Sequence, residues 1–291
     1  MRCLNVRCVL TAFFVVCGVA VPLRAQTSTD QPFALESGPV SPALWRADGI
    51  VFAPPVDFSQ AIPQPAGPPP TPRHTGVKAM LKGIVVDFKH LPSKENLMWA
   101  GVGGGLALAV HPLDDNINRK LVNNSTADKV FKPGEVLGEL ATLLASSSVV
   151  YAVGRIKDEP KVSHVGMDLI QSLVISEALT QTLKRTTRRE RPDHSGKNSF
   201  PSGHAADTFA FATALERHLG WRYAVPAYVF ASYVAISRLP ANRHWFSDAV
   251  FGASVGIIAG RTVTSREAHP FPVAVMHVPG GLAVMYVRQG K

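Results

Sequence analysis

Beyond residue 17 the chain contains no cysteine. Cys3, Cys8 and Cys17 are the only three in 291 residues, so once the first 25 residues are removed neither a disulfide framework nor thiol chemistry is left. Those 25 residues carry no acidic side chain. After them no stretch supplies the roughly 20 uninterrupted apolar residues that a membrane-spanning helix needs, because Glu135, Glu139, Asp168, Gln171 and Glu177 break the long apolar segments. This favours helices packed on one another over a polytopic membrane protein. No internal repeat of fixed period is present. No H-E-x-x-H occurs either, and His90, His111, His164, His218, His269 and His277 follow no metal-ligand spacing, so they read as structural or solvated.

What is present is enough apolar side chain, 46% of the residues, to bury a sizeable core. The formal charge is +9. Arg2, Arg7 and Arg24 belong to the first 25 residues, and the 27 basic and 21 acidic side chains that remain leave +6. Much of that excess sits between Lys184 and Arg191, a distribution that fits a local anion site as well as a general attraction to nucleic acid or anionic lipid.

Residues 1–25 have a basic start, an apolar run from Cys8 to Val21, and Leu23-Arg24-Ala25 before Gln26, the pattern of a cleaved secretory signal. It places the mature chain across the inner membrane, in the periplasm. Residues 26–76 hold eleven of the 23 prolines, which deprives them of amide donors and predicts a linker or arm. Residues 77–265 read as one helical domain. Within it the pattern predicts helices over 77–91, from Ser93 as N-cap through 110, over 134–156, 161–189, 205–219, 223–237 and 242–262, with a short helix and loops in 114–132. Val165, Leu169, Ser172, Leu173, Ser176, Leu179 and Leu183 recur on one face of the 161–189 segment. The apolar stretches at 97–110, 223–236 and 249–260 keep a membrane-associated face open. In 266–291, alternating valines on either side of Pro279-Gly280-Gly281 read as a β-hairpin.

Three clusters carry the chemistry. Lys184, Arg188 and Arg191 stand at i, i+4 and i+7, so a helix continuing through Arg191 presents them on one face. A guanidinium grips two phosphate oxygens and a lysine adds a point charge, although a solvated basic face explains the run equally well. Pro201-Ser202-Gly203-His204 precedes an apolar helical run, which puts the amides of Ser202 and Gly203 at a helix start where an anion can bind; an ordinary serine cap is the plain alternative. His244 and Asp248 stand at i, i+4 on a helix, so the carboxylate can hold one ring nitrogen and leave the other as a free lone pair. Arg238 precedes them. His194, Asp193 and Asp207 lie close by in sequence without a defined role.

Taken together, K-x6-R-P, P-S-G-H and S-R-x5-H-x3-D, in this order, resemble the motif set of the type 2 phosphatidic-acid phosphatase and vanadium haloperoxidase superfamily, which includes bacterial acid phosphatases. The resemblance implies an all-α multi-helix bundle, here with a short C-terminal hairpin. It also implies a metal-independent hydrolase of phosphomonoesters or lipid phosphates and pyrophosphates. In that scheme Lys184, Arg191 and Arg238 hold the phosphate oxygens and Ser202 and Gly203 complete the cradle. His244 attacks phosphorus to give a phosphohistidine, Asp248 orients it, and His204 protonates the departing alcohol and later activates water. No metal and no cofactor are expected. The same residues bind vanadate in the haloperoxidases, and a non-catalytic phosphate or headgroup binder is the third reading.

Overall fold

Pro160 opens the longest of the described helices, which runs for 28 residues to Thr187 and forms the axis on which four of the others pack. A computed structural model of the chain describes residues 68–72, 75–265, 273–278 and 281–286, the last two by backbone alone. The proposed leader, nearly all of the proline-rich arm and residues 266–272 lie outside them.

In chain order the helices are α1 Val77–His90, α2 Lys94–Val110, a 3-10 turn His111–Leu113, α3 Asp114–Leu121, α4 Ser125–Leu137, α5 Leu140–Ile156, α6 Pro160–Thr187, α7 Gly203–Leu219, α8 Trp221–Ser237 and α9 Phe246–Thr264. The described part of the domain is an all-α bundle. Two six-residue strands, β1 Val273–Val278 and β2 Gly281–Tyr286, pair antiparallel with Val273 opposite Tyr286, and they belong to a separate compact unit.

Local chemistry explains the helix ends. Ser93 caps α2 by accepting the Asn96 amide at 3.1 Å, and Asn124 caps α4 through the Thr126 and Ala127 amides. Gly220, at φ 79°, ends α7. Three expected boundaries move. The 134–156 segment is two helices, because the chain turns by 50° at Gly138 and Glu139 between α4 and α5. The polar 114–132 segment contains two helices rather than one, and α4 accommodates Pro133 in its interior. The last helix starts at Phe246, four residues later than its apolar pattern suggests.

The core lies where α5, α6, α7 and α8 meet. Leu143 and Val150 of α5, Leu169 and Leu173 of α6, Phe211 and Leu215 of α7, and Ala231 of α8 are all buried there. Each large side chain among them contributes about 1.5–3 kcal/mol by leaving water. A second cluster, Ile175, Ala210, Ala259 and Val263, joins α6 and α7 to α9.

Small residues set the α7–α9 distance. A Cβ on Gly256 would stand 2.2 Å from the Ala206 carbonyl oxygen, and one on Gly252 would stand 2.6 Å from that of Ser202. Only glycine lets the two backbones come that close.

Buried polar ties fix the outer helices. The Gln171 amide donates to the Met80 carbonyl at 2.7 Å, holding α1 on α6, and the Asn96 amide donates to Thr262 at 2.9 Å, holding α2 on α9. The outward faces are apolar in places: Leu97, Leu106 and Leu108 on α2, and Val225 and Val229 on α8, are exposed. Among the described residues no single helix is long and apolar enough to cross a membrane, although the bent pair α4–α5 passes that test when taken together.

Candidate active site

The three motif clusters arrive from four helix ends. Lys184 lies in the last turn of α6. Contrary to the expectation of a helix running on through Arg191, α6 stops at Thr187, because Arg188 adopts the left-handed conformation at φ 49° and ψ 36°. Arg191 therefore reaches the site from a loop. Its amide donates to the Gly196 carbonyl at 2.9 Å and its carbonyl accepts the His194 amide at 3.0 Å, which folds 189–199 back on itself. His194 stays outside that fold, exposed and paired with Glu190. Ser202 is the N-cap of α7, with Gly203 and His204 as the first two helical residues. Arg238 caps the C-terminal end of α8.

His244 precedes α9 rather than sharing a helix face with Asp248. Its Nδ1 donates to the Ser199 carbonyl at 2.6 Å, and the nearer Asp248 oxygen is 3.8 Å away. The lone pair left at Nε2 is thus set by a backbone carbonyl. Asp248 instead accepts the Trp245 amide at 2.9 Å, the Ser199 hydroxyl at 2.5 Å and the Arg189 guanidinium at 2.6 Å. Its carbonyl accepts the Ser202 amide at 3.0 Å, so α9 and the start of α7 are tied directly.

The charges feel one another. Burial is the main reason that the Lys184 ammonium is easier to deprotonate than usual, and the Arg191 charge adds to it. Burial also lowers the pKa of Arg238, against the Glu135 carboxylate that accepts from its Nη1 at 3.1 Å. His204 is brought down to about 4, first by burial and then by Arg238, with His244 and Lys184 contributing. Its Nε2 donates to the Glu135 carbonyl at 3.1 Å. Burial likewise lowers the pKa of His244. For Asp248 burial acts upward, but the hydrogen bonds around it and the Arg189 charge outweigh burial and leave it below the usual carboxylate range. Two donors stand out: the Nε groups of Arg191 and Arg238 are buried and have no hydrogen-bond partner. A buried N–H without an acceptor costs about 1–3 kcal/mol, a cost that a bound anion removes.

Residues 165–268 match the PAP2 superfamily model, and all eight of these predicted positions fall inside that span. By that match, residues 165–268 are a PAP2 superfamily region of the chain. It is 42% identical over 99 residues to a lipid A 1-phosphatase of Porphyromonas gingivalis, a stretch that is 30% of this chain and 22% of that one. It is 33% identical over 100 residues to a decaprenylphosphoryl-5-phosphoribose phosphatase of Mycobacterium tuberculosis, 31% of this chain and 55% of that one. The chain thus spans from about a fifth to about half the length of these relatives. Among solved structures, a transmembrane PAP2-type phosphatidylglycerolphosphate phosphatase of Bacillus subtilis superposes with a TM-score of 0.49 at 23% identity, over 58% of this chain and 92% of that one.

Four residues of this candidate site carried no signal of their own in the sequence. Arg189 lies within the basic run, but nothing there separates it from Arg185 or Arg188. Asp114 accepts from Arg189 at 2.8 Å and from the Ser247 amide and hydroxyl at 2.9 and 2.6 Å, across more than 130 residues. Ser199 and Glu135 meet the two histidines mainly through backbone carbonyls, which no side-chain pattern reveals. Asp207 is buried, and burial brings its carboxyl up to about 8, with Ser176 donating to it at 2.8 Å. A protonated, neutral Asp207 adds no charge beside Lys184.

Chemically, the arrangement is a cationic cradle of Lys184, Arg191 and Arg238 with two largely neutral imidazoles. Such a set suits an oxyanion whose equatorial oxygens need charge while its axial positions need a nucleophile and a proton donor.

Proposed function

We propose that this PAP2 protein is a phosphatase that moves the phosphoryl group of a lipid phosphate first to His244 and then to water. The two unpartnered buried guanidinium donors of Arg191 and Arg238 carry this reading, because they supply what phosphate oxygens accept. Lys184, the Ser202 hydroxyl and the helix-start amide of Gly203 complete the cradle, the Ser202 amide being taken by the Asp248 carbonyl. With Nδ1 engaged by Ser199, the Nε2 lone pair of His244 attacks phosphorus. The bound phosphate offsets the Arg238 and Lys184 charges that add to burial in holding His204 neutral, so His204 takes up a proton as substrate binds. The P–N bond then forms, the bond from phosphorus to the ester oxygen breaks, and the His204 imidazolium gives that proton to the leaving oxygen. Neutral His204 then takes a proton from water as the oxygen of that water displaces His244, releasing phosphate. Three cations neutralise the charge on the transferring group, and no step requires a metal.

A lipid substrate is supported by an apolar hollow of about 540 Å³ between α4 and α8, lined by Phe131, Val225, Tyr228, Tyr233 and Ile236. Ile236 is two residues from Arg238, and Phe131 is one helical turn from Glu135, so one edge of the hollow lies within a helical turn of that ion pair. The relatives named above act, by their names, on lipid A and on a decaprenyl-linked sugar phosphate. The exposed apolar side chains of α2 and α8 fit association with a membrane surface, and the leader pattern of residues 1–25 fits the periplasmic side.

The test is phosphate release with chelator present, from a detergent-dispersed isoprenyl pyrophosphate and from p-nitrophenyl phosphate, by wild type and by His244→Ala. Preference for the lipid, with loss of release in the variant, is expected. Undiminished hydrolysis by His244→Ala overturns the mechanism, and preference for the soluble ester overturns the substrate class.

A further inference from the structure

At the other end of α6 lies a second cluster that the phosphatase reading does not use. His164 and Asp168 stand at i, i+4 on α6, and His218 lies in the last turn of α7. Both imidazoles aim Nε2 at the same carboxylate oxygen: His164 at 3.2 Å and His218 at 2.9 Å from Asp168 Oδ2. The two rings meet edge to face with centroids 4.8 Å apart, and one ligand atom from each residue lies within 4.8 Å of the others. Asp168 is 1% exposed and His164 4%. The packed side chains Val165, Leu169 and Leu215 hold the surrounding backbone. Burial acts upward on Asp168, yet the two histidines outweigh burial and bring it down to about 2, so it is an anion at neutral pH.

The convergence has the dimensions of a coordination face. In a tetrahedral site with metal–ligand bonds of about 2.0–2.2 Å, the ligand atoms are roughly 3.3 Å apart. The His–Asp edges are already close to that. Two imidazole nitrogens and one carboxylate oxygen form a borderline donor set: they lack the thiolates of a soft-metal site and the all-oxygen cage that calcium or magnesium takes. Along α6, 16 residues at about 1.5 Å each put the cluster some 24 Å from Lys184, outside the reach of the phosphate cradle. Residues 216–219 are partly exposed and Gly220 is exposed, which gives an ion a way in beside His218.

We propose that His164, Asp168 and His218 bind a divalent cation of the zinc class through three protein ligands, with water in the fourth position. The ion staples the start of α6 to the end of α7. On binding, the Nε2 lone pairs turn to the metal and the ring protons reside on Nδ1.

The full chain, stripped with chelator and dialysed, is titrated with Co²⁺ alone. The intense visible d–d bands of four-coordinate cobalt are expected, saturating at a single equivalent and abolished by Zn²⁺. Zn²⁺ at about a hundredfold excess over its Kd raises Tm by about 5–10 °C. His218→Gln and His164→Gln, with helicity checked by circular dichroism, lose both effects. Should either fail to fold, the Co²⁺-loaded wild type decides, since paramagnetic shifts identify the ligating imidazoles without substitution. Absent bands, bands of full intensity in both variants, or shifts confined to His204 and His244 overturn the proposal. Phosphate release in chelator is unchanged, so this outcome is independent of the active-site reading.

Discussion

The Arg189 guanidinium closes on Asp248 at 2.6 Å while its other arm reaches Asp114 at 2.8 Å. Both carboxylates are almost wholly buried. Replacing Arg189 by methionine leaves two buried anions facing each other without a cation, so Arg189→Met is expected to lose about 3 kcal/mol or more of stability in urea unfolding. A loss below about 1 kcal/mol would mean that water reaches the pair.

Because the Ser199 carbonyl, rather than Asp248, accepts from His244 Nδ1, side-chain changes at the two positions should differ. Ser199→Ala keeps the carbonyl and is expected to lower kcat by about tenfold. Asp248→Ala releases the Trp245 amide, the Ser199 hydroxyl and Arg189 together, and is expected to lower it on the order of 10³-fold. Equal losses in steady-state hydrolysis would mean that Asp248 acts only by holding the Ser199 hydroxyl.

His204, with a pKa of about 4, is neutral in the resting protein at pH 6. The unfolded chain takes up that proton near 6.5, before the native one does. This group therefore stabilises the fold relatively most above 6.5, and that advantage is lost as pH falls through about 4, amounting to about 3 kcal/mol. Ring-proton NMR should show the low pKa in the free protein and a rise when inorganic phosphate offsets Arg238 and Lys184. A His204 that titrates near 6.5 in the free protein contradicts the burial described.

For Asp207 the sign is opposite. Its folded pKa of about 8 exceeds the usual 3.8, so the native state keeps a proton that the unfolded chain releases, and stability declines as pH climbs from 3.8 to 8. Asp207→Asn retains an acceptor for Ser176 and removes the titration. Thermal unfolding of the variant should show a flatter pH profile across that window, with a gain over wild type at pH 8. An unaltered profile would show that Asp207 is ionised.

Gly252→Ala puts a methyl group 2.6 Å from the Ser202 carbonyl oxygen. Backbone cannot yield as a flexible side chain does, so about 1–3 kcal/mol of destabilisation is expected, together with reduced kcat as the start of α7 shifts. Unimpaired stability in guanidinium would mean that α7 and α9 can separate freely.

The sequence made the helical class and the short motifs legible, because apolar periodicity and the Ser93, Ser202 and Gly220 punctuation are local. It failed where backbone geometry decided. A run of charges does not disclose that Arg188 turns left-handed, and an i, i+4 spacing does not disclose that the helix begins after His244. Nor could spacing single out Asp114 or Glu135, since each reaches the site only through the tertiary fold. His164 and His218 read as structural because their partner, Asp168, joins them from two different helices.

The tie from Asp114 to Ser247 closes a loop of 133 residues, and that from Glu135 to Arg238 one of 103. Long loops make for high contact order and slow closure. The proposed phosphate cradle is therefore expected to form late in folding: a chain with every helix formed still lacks it until its two halves meet. Catalytic competence in refolding should emerge with the slowest tertiary phase, well after helical signal has returned.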